Sequence, residues 1–255
     1  MHDRTAQKRP VVFITGGSSG IGLGLVRRFV RAGCRVTSAA RRSCGEADLS
    51  LICDVTDKSS VRDAVEACEE KLGPIDIVIA NAGIGHPSPG YALDSEIFER
   101  TFRTNVFGML YVFEAVIPKM VERRQGQLVA ISSLAAYRGL PEAGSYCASK
   151  AAVSSLTESL RLDLKRFGIA VTLVHPGYIK TPMTDRNRYV MPFLMETEKG
   201  VEKIYRAIVD QKSVVAFPWP LSMIVKSFRW WPVWLYDRVM AGRKNIKVEA
   251  PSSIP

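Results

Sequence analysis

The stretch Ser145-Tyr146-Cys147-Ala148-Ser149-Lys150 sets a phenol four residues ahead of an amine, with small residues between and alanine-rich, helix-forming sequence behind. Four residues make about one helical turn, so the two side chains share a face. Two roles fit Tyr146. It is either a packing residue of an amphipathic helix or a proton donor assisted by Lys150. A phenol with an ordinary pKa of about 10 is a poor acid–base catalyst at neutral pH, and an ammonium one turn away favours the phenolate and lowers that value. Spacing alone leaves both roles open.

A second constellation lies near the start of the chain, where Thr15 to Gly22 reads T-G-x-x-x-G-x-G between an apolar run and a helical segment. Gly16, Gly20 and Gly22, with Ser18, Ser19 and Ile21 among them, make a turn tight enough for the backbone to approach a pyrophosphate. The helix behind it offers free N–H groups and positive dipole potential. At the end of the second strand an acidic residue would bind the ribose 2′-hydroxyl of NAD. Here Ala40 is followed by Arg41 and Arg42, cations suited to the 2′-phosphate of NADP. NADP(H) is therefore favoured over NAD(H).

Positioning these groups requires a sheet. Short apolar runs at 11–15, 34–40, 49–54, 75–81, 127–133, 169–176 and 213–217 alternate with helical segments, among them about 95–123, 144–167 and 197–211. Strand-then-helix repetition predicts a Rossmann-like, doubly wound α/β fold: a parallel sheet of about seven strands with helices on both faces. Ligands in such a fold sit beyond the carboxyl ends of the strands. No repeat, low-complexity tract or linker divides the 255 residues, which read as one domain.

Further polar motifs fall at successive strand ends or in the long helix: Asp54-Val55, Asn81-Ala82-Gly83, Asn105, Ser133 and Pro176-Gly177. Together with the glycine turn, Tyr146 and Lys150, this ordered set resembles the compact form of the short-chain dehydrogenase/reductase family over about residues 10–217. Its length and glycine spacing differ from those of the extended, epimerase-type relatives. The resemblance implies that Ser133, Tyr146 and Lys150 are catalytic and that Asn105 joins a proton relay. Ser133 stands thirteen residues before Tyr146, the family spacing, and Ser132 is its rival. By the same resemblance Gly16, Gly20 and Gly22 take the pyrophosphate and Asp54 with Val55 the adenine. Asn81, Ala82 and Gly83 make a strand-end cofactor contact, and Pro176, Gly177, Ile179 and Thr181 form the nicotinamide-side loop. The implied reaction interconverts a carbonyl and an alcohol by hydride transfer. Tyr146 gives its proton, Ser133 polarises the oxygen, and Lys150 also bonds the nicotinamide ribose. Dimers or tetramers are the family's common assemblies.

Composition narrows the rest. Five cysteines without a C-x-x-C pair suit a reducing, cytoplasmic setting, and three separated histidines predict no metal site. Cys147 reads as an inert packing thiol. Met1 to Pro10 reads as a frayed tail without the apolar core of a secretory signal. Half of the net charge of +10 lies between Trp219 and Lys247, where six cations face only Asp237. That tract contains no nucleic-acid-binding module, so no nucleic-acid partner is expected.

By the same resemblance residues 181–200 lie where this family has its substrate lid, and Met183, Met191, Phe193, Leu194 and Met195 suit an apolar small-molecule substrate. The extension 217–247 holds all four tryptophans, with charges and Pro232 interrupting its apolar run, which predicts two short helices rather than a transmembrane span. Three roles stay open for it: peripheral membrane contact, a cover over the substrate cleft, or a subunit interface. For the whole chain the alternative to an enzyme is an NADPH-binding sensor or partner-binding module with little turnover.

Overall fold

A computed structural model describes residues 9–186 and 190–241. Seven strands alternate with helices: β1 (Val11–Thr15), α1 (Gly20–Arg31), β2 (Arg35–Ala40), β3 (Leu49–Ile52), α2 (Lys58–Leu72) and β4 (Ile77–Ala80) come first. There follow α3 (Ser95–Phe102), α4 (Gly108–Arg123), β5 (Gly126–Ile131), α5 (Gly144–Leu164), β6 (Ile169–Pro176), α6 (Thr197–Val209) and β7 (Val214–Phe217). The chain goes on into α7 (Trp219–Ser227) and α8 (Val233–Ala241).

The strands form one sheet in the order β3-β2-β1-β4-β5-β6-β7, and every pairing is parallel. The winding direction reverses between β1 and β4, so the connections leaving their carboxyl ends run to opposite faces of the sheet and leave a crevice there. Strands such as Val11–Thr15, buried along their whole length, are continuous apolar runs because helices cover both faces. One core layer lies under α2, α4 and α5, and the other under α1 and α6.

Two expectations change in the structure. The helix anticipated over 95–123 is two helices joined by a π-helical turn, Arg103–Phe107, that carries Asn105. A π turn inserts a residue, and such bulges often mark functional sites. The tail expected to fray through Pro10 is anchored at its end: the Arg9 guanidinium donates to the Gly33 and Cys34 carbonyls, and Arg35 N donates to the Pro10 carbonyl. Met1 to Lys8 lie outside the described residues.

Candidate active site

The glycine turn follows β1 directly. Gly16 and Gly20 have φ of +68° and +53°, in the region where glycine avoids the Cβ clash. A Cβ on Gly22 would lie 2.2 Å from the Gly16 carbonyl oxygen, so the helix can enter this close to the strand only with glycine there. Ser18 and Ser19 lie in the turn, and Ile21 packs against the α1 and α6 layer. Ser19 caps α1 without a side-chain hydrogen bond, which leaves the first-turn amides free for an anion. The cradle thus fits a dinucleotide pyrophosphate. Thr181 closes its other side, its methyl 3.3 Å from where a Gly20 Cβ would stand.

At the neighbouring strand ends, Asn81 Nδ2 donates to the Thr15 carbonyl at 3.0 Å, and Asn81 N and Ala82 N each donate to Thr15 Oγ1 at 3.1 Å. This amide holds the two central strand ends together. Arg41 and Arg42 are exposed after β2, without a hydrogen bond or ion pair among the described residues. Asp54 Oδ1 accepts from Thr56 N at 2.9 Å and Thr56 Oγ1 at 2.8 Å, fixing the loop after β3. Val55 and Ile179 are buried, Val55 against Gly108 and Ile179 against Gly200, so packing occupies their side chains. Pro176 ends β6, where Gly177 N donates to the Phe217 carbonyl at 2.7 Å.

The remaining groups converge beyond β4 and β5. The Ser133 hydroxyl accepts from Ala135 N at 3.1 Å and lies near enough to the Tyr146 side chain to lower its pKa. Ser132 points the other way: its hydroxyl is buried on the Lys150 carbonyl (3.0 Å) and on Ser154 Oγ (2.9 Å). Lys150 is 4% exposed and donates from Nζ to the Ile131 carbonyl at 2.9 Å. Its Nζ is 5.8 Å from the Tyr146 ring centroid. Asn105 Oδ1 accepts from Ile84 N at 2.8 Å, while Nδ2 donates to the Ile84 carbonyl at 3.0 Å and to Ser149 Oγ at 2.9 Å. The loop after β4 threads between these groups. A Cβ on Gly83 would lie 3.2 Å from Asn105 Oδ1 and 3.4 Å from Lys150 Nζ, and one on Gly85 would lie 3.3 Å from the Tyr146 ring.

The electrostatics correct one expectation. Burial pushes Tyr146 above the ordinary tyrosine value, and the Ser133 hydrogen bond offsets this only in part. Lys150, buried without a carboxylate, is itself lowered to about 8. Desolvation, not the Lys150 ammonium, sets the direction of this shift, so the polypeptide by itself holds Tyr146 as the protonated acid. Cys147 is buried and its thiol is pushed up by burial, as an inert packing group requires.

Several supporting residues escaped sequence reasoning. Ser149 links Asn105 to α5, accepting from Asn105 Nδ2 while its own hydroxyl donates to the Tyr146 carbonyl at 2.8 Å. Ser88 Oγ accepts from Ser145 N at 3.0 Å and braces the start of α5. His175 Nδ1 meets the Ser133 carbonyl at 3.0 Å and its ring packs on Tyr137 at 4.8 Å. Gly17 lies so near β2 that a Cβ would stand 2.4 Å from Ser38 Oγ. Only Gly17 has a signal in the sequence, as part of the glycine run. The others depend on segments that meet only in the fold.

In the segment 181–200, expected to form a lid, Met183, Phe193 and Leu194 are exposed, whereas Met195 packs into the α1 and α6 core layer. Residues 187–189 lie outside the described residues. In the extension, Phe228, Tyr236 and Met240 form a third apolar cluster with Leu140, Val225 and Trp231. Arg138 bonds the Phe228 carbonyl and stacks on Tyr236 at 3.9 Å, and Tyr236 Oη donates to the Gly139 carbonyl. The extension is therefore fastened to the loop between Ser133 and Tyr146. Its basic residues Arg243, Lys244 and Lys247 lie outside the described residues. Among the described residues no cluster has the makings of a metal site, and no helix is long and apolar enough to cross a membrane.

Comparison with known proteins agrees with this geometry. Residues 10–190 match the family model for short chain dehydrogenases. An uncharacterized oxidoreductase of Myxococcus xanthus is 38% identical over 88% of this chain and 93% of its own. A 3-ketodihydrosphingosine reductase of Bacteroides thetaiotaomicron is 34% identical over 78% of this chain and 74% of its own. Among solved structures, the 3-ketoacyl-(acyl-carrier-protein) reductase of Brucella melitensis complexed with NADH superposes with a TM-score of 0.74. That pair is 27% identical over 81% of this chain and 96% of the other. The chain belongs to the short-chain dehydrogenase family and is an oxidoreductase of that type.

Proposed function

We propose that the protein interconverts a carbonyl and an alcohol on an apolar, lipid-like small molecule with NADP(H), in preference to NAD(H), as its redox partner. The observation that carries this is the convergence of Ser133, Tyr146 and Lys150, with Lys150 Nζ buried 5.8 Å from the Tyr146 ring.

The dinucleotide supplies or accepts the hydride. The chain's residues do the rest. Gly16 to Gly22 and the α1 amides hold the pyrophosphate, Arg41 and Arg42 pair with the 2′-phosphate, and the Asp54-Val55 loop borders the adenine. Asn81 to Gly83 and the loop from Pro176 to Thr181 border the nicotinamide end. In the reductive direction Tyr146 gives its phenolic proton to the carbonyl oxygen as that oxygen gains charge, and Ser133 hydrogen-bonds the same oxygen. Lys150, as a cation, stabilises the tyrosinate left behind, and Asn105 holds the Ile84 turn beside it.

The apolar substrate is supported by the exposed lid groups Met183, Phe193 and Leu194 at the same end of the sheet. The similarity to a 3-ketodihydrosphingosine reductase points the same way. The protein works as a homodimer or homotetramer, after the family's habit. NADPH consumption across ketones graded from short and polar to long-chain, beside NADH, tests this function. Turnover that prefers NADPH and rises with chain length is expected. Tight NADPH binding with no turnover on any ketone would overturn it in favour of a cofactor sensor.

A further inference from the structure

The inner sides of α7 and α8 are spent on the Phe228, Tyr236 and Met240 cluster, yet their outer sides are no less apolar. Trp219, Met223, Trp230, Val233, Trp234 and Val239 all stand in solvent, with Trp230 86% exposed and Trp234 68% exposed. A soluble surface seldom leaves so large an apolar patch bare without a use for it. Charge narrows the choice of occupant. Arg229 and Arg238 are exposed among these aromatics, and the sequence adds Arg243, Lys244 and Lys247 directly after α8, against the single carboxylate of Asp237. The centre of a protein–protein patch is depleted of lysine, though not of arginine, whereas tryptophans interleaved with arginine and with the exposed Lys226 match the headgroup boundary of an anionic bilayer. No described helix can cross that bilayer, so the helices would lie on it.

We propose that the outer face of α7 and α8 docks the protein onto an anionic lipid surface. The indole rings enter the headgroup region and the arginines pair with lipid phosphates. Because Arg138 and Leu140 tie this face to the loop between Ser133 and Tyr146, docking also sets the catalytic cleft close to the lipid. There an apolar ketone would enter without first crossing water. The biological sense of this docking rests on the apolar substrate proposed above, but its test does not.

The full chain is mixed with vesicles of phosphatidylcholine and phosphatidylglycerol, and separately with phosphatidylcholine alone, and bound protein is measured by sedimentation. The expected result is partition onto the anionic vesicles with a blue shift of tryptophan emission and quenching by brominated acyl chains. A Trp230→Ser/Trp234→Ser double variant keeps every charge and should partition at least about tenfold more weakly. Its NADPH-dependent turnover of a short, water-soluble ketone should be unchanged. No partition by the unaltered protein, or equal partition by the double variant, overturns the docking face; the latter would mean adsorption by charge alone. A wild-type assembly that the double variant breaks into smaller units also overturns it, since a second copy would then cover the face. Vesicle binding without turnover of any ketone would leave the docking standing and remove the proposed function instead.

Discussion

The glycine turn and the C-terminal extension both lie at the carboxyl edge of the sheet, yet they are built on opposite terms. In the turn each residue type answers a geometric demand: Gly16 and Gly20 adopt positive φ, and a Cβ on Gly22 would stand 2.2 Å from the Gly16 carbonyl oxygen. In the extension the demand is only for apolar groups at helical spacing. Tyr236 and Met240, buried, and Trp234 and Val239, exposed, satisfy that pattern equally well. Where backbone geometry excludes alternatives, sequence reveals function. Where burial alone decides, it reveals only composition.

Substitutions can break this contrast, and the largest effect should come from the turn. Gly22→Ala forces a methyl onto the Gly16 carbonyl and Asn81 Nδ2, an overpacking that costs about 3 kcal/mol. Calorimetry should show a lower unfolding temperature that NADPH no longer raises. Unaltered stabilisation by NADPH would mean that the turn does not hold the pyrophosphate. Next comes the strand end: Arg41→Ala/Arg42→Ala removes two exposed cations, so KM for NADPH should rise about tenfold or more while KM for NADH barely moves. Equal changes for both cofactors would contradict the 2′-phosphate contact.

The pH dependence should be milder. Lys150 is lowered to about 8, so the rate of ketone reduction falls as pH rises through that value and the cation beside Tyr146 is lost. Stability runs the other way. Because the folded value is depressed, burying the Lys150 cation costs stability below about pH 8, and the cost is relieved as pH rises towards the ordinary lysine range. Tyr146, raised by burial, opposes this only above the ordinary tyrosine value, where the unfolded chain sheds a proton that the native state keeps. Denaturant midpoints measured on either side of pH 8 check the sign. A Lys150→Met protein should lose this component. The smallest effect belongs to the extension, where Tyr236→Phe deletes one hydrogen bond to the Gly139 carbonyl. A loss of about 1 kcal/mol in urea unfolding is expected. A loss of ketone turnover with unchanged stability would show that the extension governs the active-site loop rather than merely packing on it.

The same distinction explains what was legible in the sequence. The sheet, the position of nearly every strand and the two short C-terminal helices followed from alternating apolar runs and Pro232. Ser133 was separable from Ser132 only by family spacing, and the structure supplies a physical difference: one hydroxyl faces Tyr146, the other is consumed by Lys150 O and Ser154. The π turn at Asn105 was hidden because the Ile84 backbone that this side chain bonds is over twenty residues away. For the same reason Ser149 and His175 carried no signal. The direction of the Tyr146 shift carries no sequence signal, because one-turn spacing registers a charge but not the desolvation of the site.

The central claim is that Tyr146 donates the proton in carbonyl reduction while other groups bind the cofactor. Tyr146→Phe tests it most directly, with NADPH oxidation at saturating ketone and NADPH binding by fluorescence read on the same preparation. Loss of a proton donor lowers the rate by about a hundredfold to ten-thousandfold, and the prediction is a fall of that size with NADPH affinity little changed. Turnover within a few-fold of the unaltered protein would contradict the claim and assign the proton to another group.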